Sequence, residues 1–316
     1  MNKRTFLRAL GVSAAGTIAL GSRAFGQDLT AIRIASLVSD TAGEPIYGQD
    51  SGIFTRAGFR VELSLFNNYG AIQTAVVSRA VDVGVLDSMG FAVTVSHNIP
   101  LSIIAAGAQY NTKAPTLLLC VAKNSPVRRA SDLAGKTISV GTLRGSADIS
   151  TRAWLERQHV DSASVRIIEL PFSEMSAALD RGTVDAATIV EPALAAALKA
   201  GARPFAKIYD AVAPKYVQNV WATSDDYAQQ NADVLKRFVA SIYDVARWAN
   251  AHHNESAAIL TKYSKLDEAT AREMTRTEFA TSLDPKMLQP VIDTASKYGV
   301  IPKAVLASTL IAPAFR

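Results

Sequence analysis

One unit recurs along this chain: a short run of residues apolar nearly throughout, then a polar loop, then a stretch of helical pattern. Residues 31–38 (AIRIASLV), 59–66 (FRVELSLF) and 81–86 (VDVGVL) read as strands, followed by the loops 38–44, 67–70 and 87–90 and by helices over 45–56, 71–79 and 91–96. Residues 101–106 (LSIIAA) form a fourth strand. Strands that are apolar on both faces must be covered on both, and alternation of strand with helix lays successive strands parallel. The pattern therefore predicts an α/β fold, a mostly parallel sheet flanked by helices.

A second series of the same plan begins after Ala114-Pro115, with strands over 116–123, 137–141, 165–170 and 186–190. Its helices are predicted over 131–136, from Ser146 to about His159, and over 172–181 and 192–200. Residues 216–223 (YVQNVWAT) read as one more strand, and beyond it the pattern is helical, with apolar positions at Leu235, Phe238, Val239, Ile242, Val245, Ala246 and Ala249. Since no strand pattern remains to complete the first sheet, the C-terminal helices are expected to return and cover it. Two lobes result: 27–114 with 223–316, and 115–222, joined by crossings near Ala114-Pro115 and Ala222-Thr223 that would serve as a hinge.

The first 26 residues stand apart. A basic opening, MNKRTFLRAL, leads through the mildly apolar GVSAAGTIAL to small residues at Ala24 and Gly26. The apolar run is about a dozen residues where a membrane span needs roughly twenty, so this is predicted to be an export signal cleaved near Gly26. Lys3-Arg4-Thr5-Phe6-Leu7-Arg8 is similar to a twin-arginine signal with lysine in the first arginine's place, which leaves the twin-arginine and general secretory routes both open. Without Lys3, Arg4, Arg8 and Arg23 the chain keeps 29 basic against 28 acidic residues, so its net charge falls from +5 to about +1. That near-neutral balance gives no argument for a nucleic-acid partner. Cys120 is the only cysteine and lies in the apolar run LLLCV, so it is expected in the core and no internal disulfide can form.

The stretch 138–150, ISVGTLRGSADIS, reads as a strand end, a tight loop and a first helical turn. Helix N-termini carry amides without intrahelical acceptors and a partial positive charge, which suits the loop to an anion or an acceptor-rich group. Thr142 and Ser146 can add hydroxyls and Arg144 a bidentate cation; an ordinary turn with a solvated Arg144 is the alternative. In an open α/β sheet, ligands gather at the carboxyl ends of strands. This selects Thr41 and Glu44, Asn68 and Tyr69, and Asp87, Ser88 and Met89 in the first lobe, with Tyr110 beside the crossing. In the second lobe it selects Thr142, Arg144, Gly145, Ser146, Phe172 and Glu191.

Each candidate also has a structural role open to it. Asp87 can cap the helix that follows it. Glu191 can start a helix and pair with Arg144, or face the cleft, and Glu44 precedes Pro45 in the same way. Two of these three acids in the cleft would favour an amine or a heterocycle over a simple anion. Tyr47, Tyr69, Tyr110 and Phe172 can stack on a ring or simply pack, while Trp154, Trp221 and Trp248 lie in apolar segments and read as core.

Five pieces, in this order and spacing, carry a family resemblance: Gly52-Ile53-Phe54 with Gly58-Phe59-Arg60-Val61-Glu62; Val81-Asp82-Val83-Gly84; Asp132-Leu133-Ala134-Gly135-Lys136-Thr137-Ile138; Leu179-Asp180-Arg181-Gly182-Thr183-Val184-Asp185-Ala186; and Glu191-Pro192. The chain resembles the periplasmic solute-binding proteins of ABC importers, in the subgroup serving nitrate, taurine, alkanesulfonates and thiamine-pyrimidine precursors. The resemblance implies a two-lobe type II periplasmic binding fold that captures a small organic acid, sulfonate or heterocycle between its lobes. It also implies a periplasmic monomer that delivers this solute to an inner-membrane ABC permease, with no catalysis and no cofactor. A sensor, or an enzyme like the thiamine-pyrimidine synthases, is the alternative on the same fold.

The residues themselves argue against catalytic or metal chemistry. His252 and His253 are adjacent on a helix, where a shared metal requires a spacing of three or four, and His97 and His159 stand alone. Residues 141–146 lack the lysine and length of a phosphate-binding P-loop, and there is no G-x-S-x-G elbow.

Overall fold

The computed structural model describes residues 29–264 and 266–316. The expected export signal lies outside them. The first lobe's strands in chain order are β1 (Thr30–Leu37), β2 (Phe59–Phe66), β3 (Val83–Asp87) and β4 (Leu101–Ala106). After them come β5 (Ala108–Asn111), β6 (Leu117–Val121), β7 (Thr137–Val140), β8 (Arg166–Glu169), β9 (Ala186–Val190) and β10 (Arg203–Ala206). The last three are β11 (Lys215–Val217), β12 (Asn219–Ser224) and β13 (Glu278–Phe279).

Two five-stranded sheets form, β2-β1-β3-β12-β4 and β10-β6-β9-β7-β8. In each, four strands run one way and one runs against them: β12 in the first, pairing antiparallel with both β3 and β4, and β6 in the second. Interior strands such as β3, β9 and β12 are buried at every residue, as the unbroken apolar runs require, whereas β2 lies at an edge and alternates between covered and exposed positions.

The run 216–223 is not one strand of the second lobe. It breaks at Gln218, and β12 inserts into the first sheet with Asn219 opposite Asp87 and Ala222 opposite Gly84. The expected crossing at Ala222-Thr223 would cut this strand in half, so the second crossing instead precedes Asn219. There β11 pairs with β5, the outgoing crossing, and β13 completes a small three-stranded ribbon. The stretch 45–56 also differs from expectation: it forms two helices, Glu44–Asp50 and Ile53–Arg56, because Gly52 at φ +73° ends the first in a left-handed turn.

C-terminal helices do return to the first sheet. Phe238, on the helix Ala232–Ala251, meets Phe54, Phe59 and Trp221 at ring separations of 5.5–5.7 Å. The chain end then bridges β4 through Ile103 and Ile311. In the second lobe Cys120 is fully buried with Met175, Leu179, Ile189 and Leu194. Of the three tryptophans only Trp221 is core; Trp154 and Trp248 are half-buried, Trp248 with His252 stacked on it at 5.3 Å.

Candidate functional site

The carboxyl end of β3 and the amino end of the antiparallel β12 face the loop after β7 across the boundary between the lobes. Asp87 closes β3 and caps the helix Ser88–Ser96, its Oδ1 accepting the Gly90 N–H at 2.7 Å. The same oxygen accepts the N–H of Ser146, first residue of the helix Ser146–Arg157 in the other lobe, at 3.1 Å. That second helix has Gly145 at its N-cap and so no capping side chain of its own; Asp87 supplies the acceptor from across the cleft. Burial pushes the Asp87 carboxyl up, while the Gly90 and Ser146 donors pull it part of the way back.

An aromatic contact lies beside this clasp. Asn68 caps the helix Tyr69–Val77 by accepting the Ala71 N–H, which presents Tyr69 at the lobe boundary. Its ring meets Phe172 of the second lobe edge-on at 6.3 Å, and its hydroxyl accepts the Asn219 Nδ2–H at 2.6 Å. Phe172 lies directly on Gly141: a Cβ there would stand 2.3 Å from the ring, so this position admits no side chain.

Glu44 and Asn219 stand on either side of Gly107, whose would-be Cβ comes within 3.2 Å of Glu44 Oε2 and 3.3 Å of the Asn219 carbonyl. Glu44 is 1% exposed; Oε2 accepts the Trp221 Nε1–H at 2.7 Å, and Oε1 has no hydrogen-bond partner. Burial pushes this carboxyl up to about 8 against the pull of the indole N–H. Asn219 Oδ1 and Thr142 Oγ1 are likewise buried without partners. An unsatisfied buried polar atom costs roughly 1–3 kcal/mol, and such groups gather here from both lobes.

A second junction closes the other side. Glu191 follows β9, joins Pro192 through a cis peptide bond, and accepts from the Ala195 N–H at 3.0 Å and the Thr275 N–H at 3.3 Å. Its carbonyl takes the Asp40 N–H at 3.2 Å. Burial pushes its carboxyl up to about 7. Asp40 itself, fully buried, is held by Arg276 at 2.8 Å, by the Tyr47 hydroxyl at 2.5 Å and by the Thr277 N–H at 2.6 Å. Burial opposes that charge, but the ion pair and hydrogen bonds outweigh it and hold the carboxyl below its ordinary range.

A family model described as NMT1/THI5 like matches residues 43–256, more than half of the chain. The chain belongs to the NMT1/THI5-like family. It is 27% identical over 209 residues to the taurine-binding periplasmic protein of Escherichia coli (strain K12), a match that covers 65% of this chain and 62% of that relative's length. The alkanesulfonate-binding protein SsuA from Xanthomonas axonopodis pv. citri, solved with MOPS, superposes with a TM-score of 0.74 at 18% identity, over 89% of this chain and 97% of that one. The desulfurization enzyme DSZB superposes at 0.67 and 15% identity, over 90% and 97%. The two-lobe fold expected of the chain is thus the fold of these proteins.

Within this NMT1/THI5-like chain the predicted residues divide. Glu44, Tyr69, Asp87, Thr142, Gly145, Ser146 and Phe172 come together at the lobe boundary, with Thr41 next to them, its hydroxyl 3.2 Å from that of Ser39. Asn68 and Ser88 serve the backbone, Ser88 through a bond to the Val217 carbonyl, and Met89 is fully buried in the core. Tyr110 donates to Asp210 at 2.7 Å and packs on Tyr209 and Tyr216 in the crossing ribbon. Arg144 departs furthest from expectation. Its φ of +62° turns the exposed side chain outward, where it donates to the Val300 carbonyl at 2.9 Å, so it neither pairs with Glu191 nor converges on the Ser146 amide.

Sequence reasoning missed Asn219, Trp221 as a partner for Glu44, and the Asp40–Arg276 pair. Asp40 did lie in a selected loop, which was a usable signal. Arg276 carried none, being 236 residues away in the loop between the helix Glu268–Glu273 and β13.

Proposed function

We propose that this chain is the solute-receiving component of an ABC importer, exported to the periplasm, where as a monomer it captures a small organic solute between its lobes and passes it to an inner-membrane permease. The observation that carries the reading is the convergence of groups from both lobes on one buried boundary, with Asp87 against Ser146, Tyr69 against Phe172, and Glu44 Oε1, Asn219 Oδ1 and Thr142 Oγ1 unpartnered around them. A solute that touches both lobes favours their closed arrangement by its differential affinity for the two states, and closure is what a permease can read. The family membership and the printed functions of the taurine-binding and alkanesulfonate-binding relatives support the same reading.

An enzyme is the second reading, since DSZB shares the fold. The boundary groups favour binding over turnover: Cys120 is buried in the second lobe's core, and His97 is exposed at the far end of its helix. Small-angle scattering of the processed protein, with and without each member of a panel of sulfonates, amines and heterocycles, tests the reading. A ligand that shrinks the radius of gyration and is recovered unchanged supports it, whereas chemical conversion of the ligand, or tight binding with an unchanged radius, would sink it.

A further inference from the structure

An oxyanion buried away from water needs cations or uncommitted N–H donors around it. The nearest guanidinium groups are committed elsewhere, and the unpartnered donors at the boundary described above are two neutral hydroxyls, Thr142 Oγ1 and Ser146 Oγ. The Ser146 N–H, at the N-terminus of the helix Ser146–Arg157, is taken by Asp87. Arg276, 7% exposed, is bound to Asp40, and Arg144 is turned out toward Val300. Beside those hydroxyls the boundary offers acceptors: the Asp87 carboxylate, whose bonds to Gly90 and Ser146 both fall on Oδ1, and the buried, unpartnered Asn219 Oδ1. Asp87 and Asn219 are opposite each other in the β3–β12 register, Asn219 and Glu44 flank Gly107, and Tyr69 binds Asn219, so these acceptors share one corner with an aromatic ring.

We propose that Asp87 is the specificity-determining residue of this cleft and selects a solute presenting N–H donors, an alkyl- or arylammonium or a protonated ring nitrogen, while rejecting simple oxyanions. The proposal rests on the solute-receptor reading and sets this chain apart from relatives named for taurine and alkanesulfonates. An N–H donor in this corner meets the Asp87 carboxylate and the unpartnered Asn219 Oδ1, with the Tyr69 ring beside them. A sulfonate in the same corner places its charge beside Asp87 in a low-dielectric setting, with the nearest helix amide already engaged.

Isothermal titration of the processed protein, unfolded and refolded to remove any carried solute, reads this out with benzylammonium, tyramine and 4-aminopyridinium against methanesulfonate, nitrate and ethanesulfonate. At least one N–H donor probe is expected to bind tenfold or more tightly than any of the three oxyanion-bearing probes. Asp87→Asn keeps the helix cap, because asparagine also caps well, and is expected to weaken the best donor probe at least tenfold while bringing methanesulfonate into the measurable range. Asp87→Ser, with circular dichroism to confirm folding, repeats the comparison with a second cap. Tighter binding of methanesulfonate or nitrate to the unaltered protein overturns the proposal and leaves the receptor reading intact. Equal affinity of the donor probe for the protein and both folded variants overturns it too. Conversion of a bound donor probe would instead overturn the receptor reading and leave the selectivity standing.

Discussion

Glu44→Gln isolates the energetic consequence of burying a carboxyl whose second oxygen lacks a partner. Burial raises Glu44 from 4.5 to about 8, a difference of about 3.5 units, and each unit is worth about 1.36 kcal/mol between the two protonation states. Because the folded value is the higher one, the native state holds more protons than the unfolded state between these limits, so stability falls as pH rises through the window. Integrated from pH 5 to pH 9 the loss is about 4 kcal/mol, which is a ceiling because the site can relax or admit water. Glu191, raised to about 7, adds a loss of the same sign but is present in both proteins, so the difference between their curves belongs to Glu44. Glutamine keeps an oxygen for the Trp221 N–H and adds a pH-independent cost for its amide. Urea denaturation of ligand-free protein at unit steps from pH 5 to 9 should give a steeper decline for the unaltered chain, with the variant matching or exceeding its stability at the alkaline end. Parallel curves would refute the reasoning and show that Glu44 is ionised and solvated in the native state.

Four further outcomes follow from the same geometry. Arg276→Met leaves Asp40 buried without its cation and should cost about 3–5 kcal/mol in chemical denaturation, part of which Asp40→Asn in the same chain should restore. Gly141→Ala drives a Cβ into the Phe172 ring, so it should displace the ring from Tyr69 and weaken solute binding by about tenfold or more in titration calorimetry. Arg144→Ala should change apo stability by no more than about 0.5 kcal/mol and leave solute affinity unaltered, since its guanidinium reaches only the Val300 carbonyl; a tenfold loss of affinity would return it to the cleft. Burial, with a smaller contribution from Glu191, pushes the Cys120 thiol up to about 12, so a thiol reagent at pH 8 should leave the native protein unmodified and label it fully after unfolding.

The candidate site was legible where local chemistry placed it. Asp87 at a strand end before a helix, Tyr69 after a capping asparagine, and Ser146 at a helix start all lie where residue order alone puts strand ends, because a parallel sheet sends its loops to one edge. Which way each side chain turns there was not legible. Arg144 occupies the selected loop, yet one positive φ and a carbonyl from Val300 carry it away, and Asp87 takes the Ser146 N–H that Arg144 was expected to assist.

The sequence by itself determined the lobes' repeating strands and helices, since an apolar run long enough to cross a buried sheet leaves a pattern in consecutive residues. It also determined the burial of Cys120, within a run with no polar face to turn to water. The tertiary structure decided whatever depends on pairing across the chain. The short strands β5, β10 and β13 exist only because a neighbour supplies their hydrogen bonds, and β12 could join either sheet until its register with β3 placed Asn219 beside Asp87. The Asp40–Arg276 pair joins residues 236 apart, and Glu44 meets Trp221 across 177. A charge buried in this way is stable only beside its partner, and nothing in the residues around either partner records where the other will be.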